Sequence, residues 1–96
     1  MKRFEIICDA TIENIFIEGL DKMEGLNAYT YLAPVDGNGQ HGPRRGSHVW
    51  PEENAMLILY IEDIYSDALI EYVKSMRSRF PNNGLACFYI ETAHAI

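Results

Sequence analysis

The sequence predicts a ferredoxin-like α+β fold, in which two helices cover one face of a four-stranded antiparallel sheet. Three observations lead to this prediction. Strand-type and helical segments follow one another in the order strand, helix, strand, strand, helix, strand. Each helical segment carries its apolar residues on one stripe, so each has one face to bury. The chain has 96 residues, enough for one hydrophobic core, so we expect a single domain over residues 1–96.

The first strand and the first helix are predicted from residue type and spacing. Residues 3–8 are mostly apolar and include types that fit a pleated, buried surface. Residues 11–23 place apolar side chains at helical spacing. Asp9 or Thr11 can cap this helix, because a short oxygen-bearing side chain accepts an otherwise unpaired amide of the first turn. Gly25 suits the end of the helix.

The remaining elements follow from the same criteria. Residues 26–35 and 55–61 are rich in strand-forming types, and the second of these segments is apolar on both faces. Residues 65–80 have helical periodicity. Pro, Asn and Gly at residues 81–84 favour a turn, after which residues 85–90 are predicted to form the fourth strand.

The predicted topology makes the first and last strands antiparallel neighbours. Cys8 and Cys87 are therefore expected to lie near one another. Two small buried side chains are the main interpretation, because free cysteine packs readily inside proteins. A redox or metal role is the alternative that the sequence leaves open.

The predicted sheet leaves one face without helices. The third strand is apolar on both sides, because Met56, Ile58 and Tyr60 alternate with Leu57, Leu59 and Ile61. A contiguous apolar face of this size is rarely exposed on a monomer. We therefore expect a homo-oligomer that packs its sheets together.

The composition limits the classes of partner. A formal net charge of −6 repels a nucleic-acid backbone, so no nucleic-acid partner is expected. The longest apolar runs are too short to cross a bilayer, so no insertion into a membrane is expected. The first residues lack the pattern of a signal peptide, and a cytoplasmic location is the resulting expectation.

The connection at residues 36–54, called the arm below, carries most of the functional information. It is far longer than the usual two to five residues or so of a hairpin loop. It contains four glycines, two arginines, two of the three histidines and the single tryptophan. Arg44 and Arg45 with the free amides of a glycine-rich backbone are suited to grip a phosphate or carboxylate. A solvated arginine pair without a ligand is the equally weighted alternative.

Two further interpretations of the arm remain open. His41 and His48 could bind a divalent metal through their imidazole nitrogens, although ordinary polar histidines are the more frequent case. Trp50 is expected to anchor the returning chain more than to contact a ligand. No catalytic motif accompanies these residues, since the sequence has neither a Gly-x-Ser-x-Gly elbow nor a His-Glu-x-x-His pair. An enzyme is therefore not predicted.

The stretch at residues 42–54, which reads Gly-Pro-Arg-Arg-Gly-Ser-His-Val-Trp-Pro-Glu-Glu-Asn, resembles the P-II family of trimeric signalling proteins and especially its P-II-like members. The predicted element order is also similar to theirs. In that family the arm is a mobile effector segment, and small molecules, commonly adenine nucleotides, bind at its base in clefts between subunits. The resemblance implies a regulatory homotrimer whose arm docks on a membrane transporter or a cytoplasmic enzyme.

The resemblance also implies where a ligand and a partner would bind. The expected residues are Gly37, Gly39, His41, Arg44, Arg45, Gly46, His48, Trp50, Glu53 and Asn54. The expected ligand is an adenine nucleotide or another small anion. One departure concerns residues 81–84, a short turn where nucleotide-binding P-II proteins carry a second glycine-rich, basic loop. The alternative functions are a divalent-metal-binding trimer of the metal-tolerance type, with His41 and His48 as ligands, and a purely structural subunit.

Overall fold

The computed structural model describes residues 1–39, 42–44 and 53–96. Its elements are β1 (Lys2–Asp9), α1 (Ala10–Asp21), β2 (Thr30–Val35), β3 (Gly37–Gly39), β4 (Gly42–Arg44), β5 (Asn54–Ile61), α2 (Asp63–Arg79) and β6 (Leu85–Ile90). The long strands form one antiparallel sheet in the order β2-β5-β1-β6, and β3 pairs with β4 separately. The predicted ferredoxin-like order is confirmed, with a small hairpin added within the arm.

One face of the sheet forms the floor of the core. Phe4 is paired with Leu59, and Ile6 is paired with Leu57, which places all four side chains on the same face. Each of them is fully buried. The same core cluster contains buried residues of both helices, so both helices cover this face. The helical members are Ile12, Phe16, Leu20, Leu69, Val73 and Met76.

The start of α1 matches the prediction, whereas its end and the start of β2 do not. The Asp9 carboxylate accepts a 3.3 Å hydrogen bond from the Thr11 amide, as expected of a cap. The helix ends at Asp21, two residues before the predicted end at residue 23. The predicted strand start at residue 26 was wrong. Leu26 is fully buried in the core and its amide donates to the carbonyl oxygen of Met23, so pairing begins only at Thr30.

The second half of the chain lies close to the prediction. α2 begins two residues before the predicted start, and β6 has the predicted bounds. Arg77 and Arg79 occupy the last turn of α2, where positive charge stabilises the negative end of the helix. Phe16 of α1 and Tyr72 of α2 pack their rings at 5.0 Å between centroids. This contact fixes how the two helices lie against each other.

Cys8 and Cys87 lie on the same face of adjacent strands. Ile6 is paired with Cys87 and Cys8 with Leu85, so the two thiols are diagonal neighbours within the sheet. Both are free thiols. The predicted proximity is confirmed, and the buried setting of Cys8 agrees with a packing role.

The face opposite the helices, called the open face below, is apolar and uncovered in the chain. The registers place Ile58 between Glu5 and Thr30, and Glu5 between Ile58 and Phe88. Phe88 is 65% exposed and Tyr60 is 54% exposed. The open face also includes Ile7, Leu32, Met56 and Ile90. Within the described part of the chain, no helix is long and apolar enough to span a membrane.

Candidate functional site

All four long strands contribute an end to the edge of the sheet from which the arm departs. Val35 near the end of β2 and Asp9 at the end of β1 are both in register with Asn54, the first residue of β5. Leu85, the first residue of β6, is paired with Cys8. The arm, the first turn of α1 and the turn after α2 therefore meet at one end of the molecule.

Two backbone hydrogen bonds join these segments at Asp9 and Ala10. The Ala10 amide donates to the carbonyl oxygen of Glu53 at 2.7 Å, which ties the returning arm to the start of α1. The Asp9 amide donates to the carbonyl oxygen of Gly84 at 2.9 Å, which ties the turn after α2 to the same point. The amides of Ala10 and Thr11 therefore both have hydrogen-bond acceptors, which satisfies two amides of the first turn of α1 that have no partner within the helix.

The turn at residues 81–84 is held by a side chain as well as by the backbone. The Asn83 amide donates to the carbonyl oxygen of Phe80 at 3.1 Å. The Asn83 side-chain amide donates to the Thr11 hydroxyl at 2.7 Å. This short turn therefore packs against the first turn of α1.

The arm contains a two-stranded ladder that residue type did not predict. Gly37 is in register with Arg44, Asn38 with Pro43 and Gly39 with Gly42. Glycine, asparagine and proline all have low strand propensity, so these segments form strands only because they pair with each other. Residues 37–39 and 42–44 therefore add two short strands to the four that the sequence predicted.

The predicted site residues fall into three groups. Gly37, Gly39 and Arg44 lie in the β3–β4 hairpin. Glu53 and Asn54 lie at the arm's base, where Glu53 bonds to α1 through its carbonyl oxygen. The others, His41, Arg45, Gly46, His48 and Trp50, lie outside the described residues. The roles assigned to all of these residues stay predictions.

Acidic groups at the base of the arm were not predicted as part of the site. Asp9 is 1% exposed, and Glu13 lies in the first turn of α1. Burial is the largest cause that raises the pKa of the Cys8 thiol to about 12, and the carboxylates of Glu13 and Asp9 are the smaller causes. Burial also raises the pKa of Tyr31, with a hydrogen bond to Glu13 as the second cause. The helical cap signal identified Asp9, but no sequence signal connected it to the arm.

Positive charge stands at the same end of the molecule, on the last turn of α2. The Arg77 Nε donates a 3.2 Å hydrogen bond to the carbonyl oxygen of Leu85. The Arg79 guanidinium lies 5.1 Å from the centre of the Phe80 ring. Both arginines are exposed. These two arginines give this end of the molecule positive charge that suits an anion, despite the negative charge of the chain.

Metal binding is not tested by the described residues. Among residues 1–39, 42–44 and 53–96, no group of three or more His, Cys, Asp and Glu side chains could hold a metal ion. The two histidines proposed as ligands, His41 and His48, fall outside those ranges. The metal hypothesis therefore stays a prediction.

Comparison with known proteins gives a clear result at the level of fold. No family model matches the chain, and no curated protein matches it significantly. The solved structures whose fold resembles this chain include those of a nitrogen regulatory PII-like protein. The predicted resemblance is thus confirmed as a likeness of fold.

One member of this class whose fold this chain resembles is CPII from Thiomonas intermedia K12. Its structure bound to ADP, AMP and bicarbonate matches with a TM-score of 0.69 and 20% identity over 97% of this chain and 88% of CPII. Its structure bound to ADP and bicarbonate gives a TM-score of 0.67 and 21% identity over the same shares of the two chains. A further structure with ADP, AMP and bicarbonate, at 2.3 Å, gives 0.53 and 19% over 96% of this chain and 93% of CPII.

Proposed function

We propose that this chain is a PII-like regulatory protein that binds an adenine nucleotide or a small anion such as bicarbonate at the base of its arm. It works as a homotrimer, it does not catalyse a reaction, and its arm contacts a partner protein. The observation that carries the proposal is the likeness of fold to CPII over 97% of the chain. CPII is a nitrogen regulatory PII-like protein with ADP, AMP and bicarbonate bound in its structure.

The junction at the arm's base supports this location for the ligand. Glu53 and Gly84 are both bonded to the segment at Asp9 and Ala10, so the arm and the turn after α2 are coupled to the same two residues. A ligand shifts the equilibrium between two conformations of the arm only if it binds one conformation more tightly than the other. The shared junction would pass such a change to α1 and to the turn.

The charges at this end of the molecule support an anionic ligand. Arg77 and Arg79 stand on the last turn of α2, and Arg44 belongs to the arm. A guanidinium offers paired donors that match a phosphate or a carboxylate. Bicarbonate and the phosphates of a nucleotide share this chemistry, so binding of each has to be measured separately.

The open face supports an assembly of several copies. Phe88 and Tyr60 are more than half exposed and lie on the uncovered side of the sheet. Burial of such side chains stabilises an assembly by about 25 cal/mol for each Å² of apolar surface removed from water. A trimer that packs these faces inward would bring the base of one arm close to a neighbouring subunit.

Isothermal titration tests the ligand directly. The wild-type protein is titrated with ADP, AMP and bicarbonate, each alone and then ADP with bicarbonate present. We expect saturable binding of at least one of them. Arg44→Ala and Arg45→Ala should weaken nucleotide binding by about tenfold to a hundredfold, the effect of losing one charged hydrogen bond.

Lys74→Ala is the matched control for these substitutions. Lys74 lies on the outer side of α2 and pairs at 3.6 Å with Glu71, and both are well exposed. The control removes one positive charge from the chain without changing the arm, so its affinity should equal that of the wild type. Absence of heat with all three ligands at millimolar concentration would contradict the proposed function.

Partner binding needs a separate measurement. The arm is shortened by deleting residues 37–44, and association with a candidate transporter or enzyme is measured by light scattering with and without ADP. We expect the deletion to abolish association while assembly of the subunits persists. Association that survives the deletion would contradict a docking role for the arm.

A further inference from the structure

An asparagine is followed by a glycine at two places in the chain, and one of these pairs lies at the base of the arm. Asn38 and Gly39 belong to the β3–β4 hairpin, whereas Asn83 and Gly84 end the turn after α2. The carbonyl carbon of an asparagine side chain can be attacked by the backbone nitrogen of the next residue, and glycine has no Cβ atom to obstruct this attack. Asn83 is therefore a candidate for spontaneous modification.

The attacking nitrogen, which belongs to Gly84, is free to react. Its N–H group has no hydrogen-bond acceptor among the residues that the structure describes, although the Gly84 carbonyl oxygen accepts from Asp9. A Cβ atom added at Gly84 would have no heavy atom within 4 Å, so there is open space on that side of the backbone. The turn is also partly exposed to water. Neither pairing nor crowding protects this nitrogen.

The other reactant, the Asn83 side chain, is restrained by one hydrogen bond. Its amide nitrogen donates to the Thr11 hydroxyl at 2.7 Å. Closure of a ring onto the backbone needs one particular combination of torsion angles, and this bond fixes the side chain against the first turn of α1 instead. The nitrogen that Thr11 holds is also the one that leaves. The reaction at Asn83 therefore requires this hydrogen bond to break.

We propose that Asn83 is a site of spontaneous deamidation that Thr11 holds back, and that the reaction releases the turn after α2 from the base of the arm. The Gly84 nitrogen gives its proton to hydroxide and bonds to the side-chain carbonyl carbon of Asn83. The bond from that carbon to Nδ2 breaks, and Nδ2 takes a proton from water and leaves as ammonia. Water then opens the resulting five-membered imide at either carbonyl, which leaves aspartate or isoaspartate at residue 83. One water is taken up and one ammonia is released, so no oxidant is needed.

The products do not fit the junction at the base of the arm. Isoaspartate carries the main chain through its side chain, which lengthens the backbone and displaces the Gly84 carbonyl oxygen from the Asp9 amide, now at 2.9 Å. Both products place a carboxylate where an amide now donates to Thr11, and a carboxylate cannot donate. They also add a negative charge near Asp9, which should weaken the binding of an anion. Only this last effect rests on the proposed function.

Peptide mass spectrometry after a timed incubation of the folded protein tests the inference. Replacement of an amide NH₂ by OH is measured at Asn83 and at Asn38 in the same samples. Thr11→Val keeps the shape of the side chain and the amide that caps α1, but it lacks the hydroxyl. It should speed the reaction at Asn83 about threefold to tenfold, the effect of losing one hydrogen bond. Thr11→Ser keeps a hydroxyl and should react at the wild-type rate.

Asn38 supplies the matched control, because it has the same following residue and should react at one rate in all three proteins. Gly84→Ala tests the other reactant. The open space at Gly84 accommodates the added Cβ atom, so this variant should fold as the wild type does. It should leave Asn83 intact over the time in which the wild type converts. Circular dichroism shows whether each variant is folded, and Thr11→Ala replaces Thr11→Val if the latter is not.

The consequence for the junction is measured on converted and fresh protein. The Asp9 amide should exchange its hydrogen faster after conversion, because its acceptor at Gly84 is displaced. Titration with ADP then shows the effect on the ligand. Conversion that leaves the exchange of the Asp9 amide unchanged would contradict release of the turn.

Two results would overturn the proposed site itself. One is an equal rate at Asn83 in the wild type, Thr11→Val and Thr11→Ser, and the other is an Asn83 that stays intact in all of them while Asn38 converts. Both are read from peptide masses and need no ligand. A wild type that deamidates at Asn83 but does not bind ADP, AMP or bicarbonate would refute the proposed function and keep the inference.

Discussion

The hydroxyl of Tyr72 lies directly over the backbone of Gly19, where it donates a 2.7 Å hydrogen bond to the carbonyl oxygen of Phe16. A Cβ atom added at Gly19 would overlap the Tyr72 ring and hydroxyl. Glycine therefore lets α2 approach α1 closely enough for this bond to form. The position serves the packing of the helices and not the flexibility of α1.

Gly19→Ala should destabilise the fold despite the higher helix propensity of alanine. Alanine gains roughly 1 kcal/mol over glycine in a helix interior, whereas overpacking a close contact costs about 1–3 kcal/mol. Urea unfolding of Gly19→Ala, Tyr72→Phe and the double variant measures the coupling. The double variant should lose less than the sum of the single losses, because Tyr72→Phe removes the atom nearest to the new methyl group. Additive losses of unfolding free energy would contradict the contact between Gly19 and Tyr72.

Gly25→Ala should also destabilise the fold, for a different reason. Gly25 has φ of 76°, and an added Cβ would meet the ring of Tyr65. We expect a loss of about 1–3 kcal/mol in unfolding free energy from backbone conformation and overpacking together. Gly84→Ala is the control, because an added Cβ there has nothing within 4 Å. Equal stability of the two variants would contradict this account.

The sequence predicted correctly those features that depend on a few neighbouring residues. The Asp9 cap and the bounds of β6 follow from capping chemistry and residue type, and both are confirmed. The start of β2 was wrong because Leu26 fills the core, and its amide is bonded to Met23. A strand pattern does not distinguish such a residue from a paired one.

The candidate site was less predictable because its geometry depends on distant segments. Glu53 was singled out from the arm, but its hydrogen bond to Ala10 depends on how β1 and β5 align. The same holds for the bond between Asp9 and Gly84, which brings the turn after α2 to the arm. The β3–β4 hairpin was not predictable from residue type, because Gly-Asn-Gly has little strand propensity of its own.

The Cys8 thiol should make stability fall at alkaline pH. Its pKa is raised to about 12 from an ordinary value of 9.0. The stability that comes from burying the neutral thiol is therefore complete below pH 9 and is lost as the pH rises towards 12. At about pH 10 the loss should be about 1 kcal/mol.

Urea unfolding at about pH 7 and about pH 10 checks this prediction. Cys8→Ala should be less stable than the wild type at both values because of the cavity it leaves. Between the two pH values, Cys8→Ala should nevertheless lose less unfolding free energy than the wild type, because it has no thiol to ionise. The buried thiol should also react slowly with iodoacetamide at neutral pH. An identical pH dependence of the two proteins would refute the role of Cys8.

Asp9→Ala should weaken both the fold and ligand binding. The substitution removes the cap of α1 and should cost about 1–2 kcal/mol of unfolding free energy. Because Asp9 and Ala10 also hold Gly84 and Glu53, loss of the cap should loosen the base of the arm. Asp9→Asn keeps a capping oxygen and should retain most of the stability. Hydrogen exchange of the Ala10 amide should be faster only in Asp9→Ala.

Native mass spectrometry of the protein mixed with ADP measures the subunit number and the bound nucleotide together. We expect a homotrimer that retains ADP, with up to one nucleotide for each chain, and loss of that ADP in the Arg44→Ala/Arg45→Ala variant while the trimer persists. Single chains without retained nucleotide, at concentrations where the protein is folded, would contradict the proposed function.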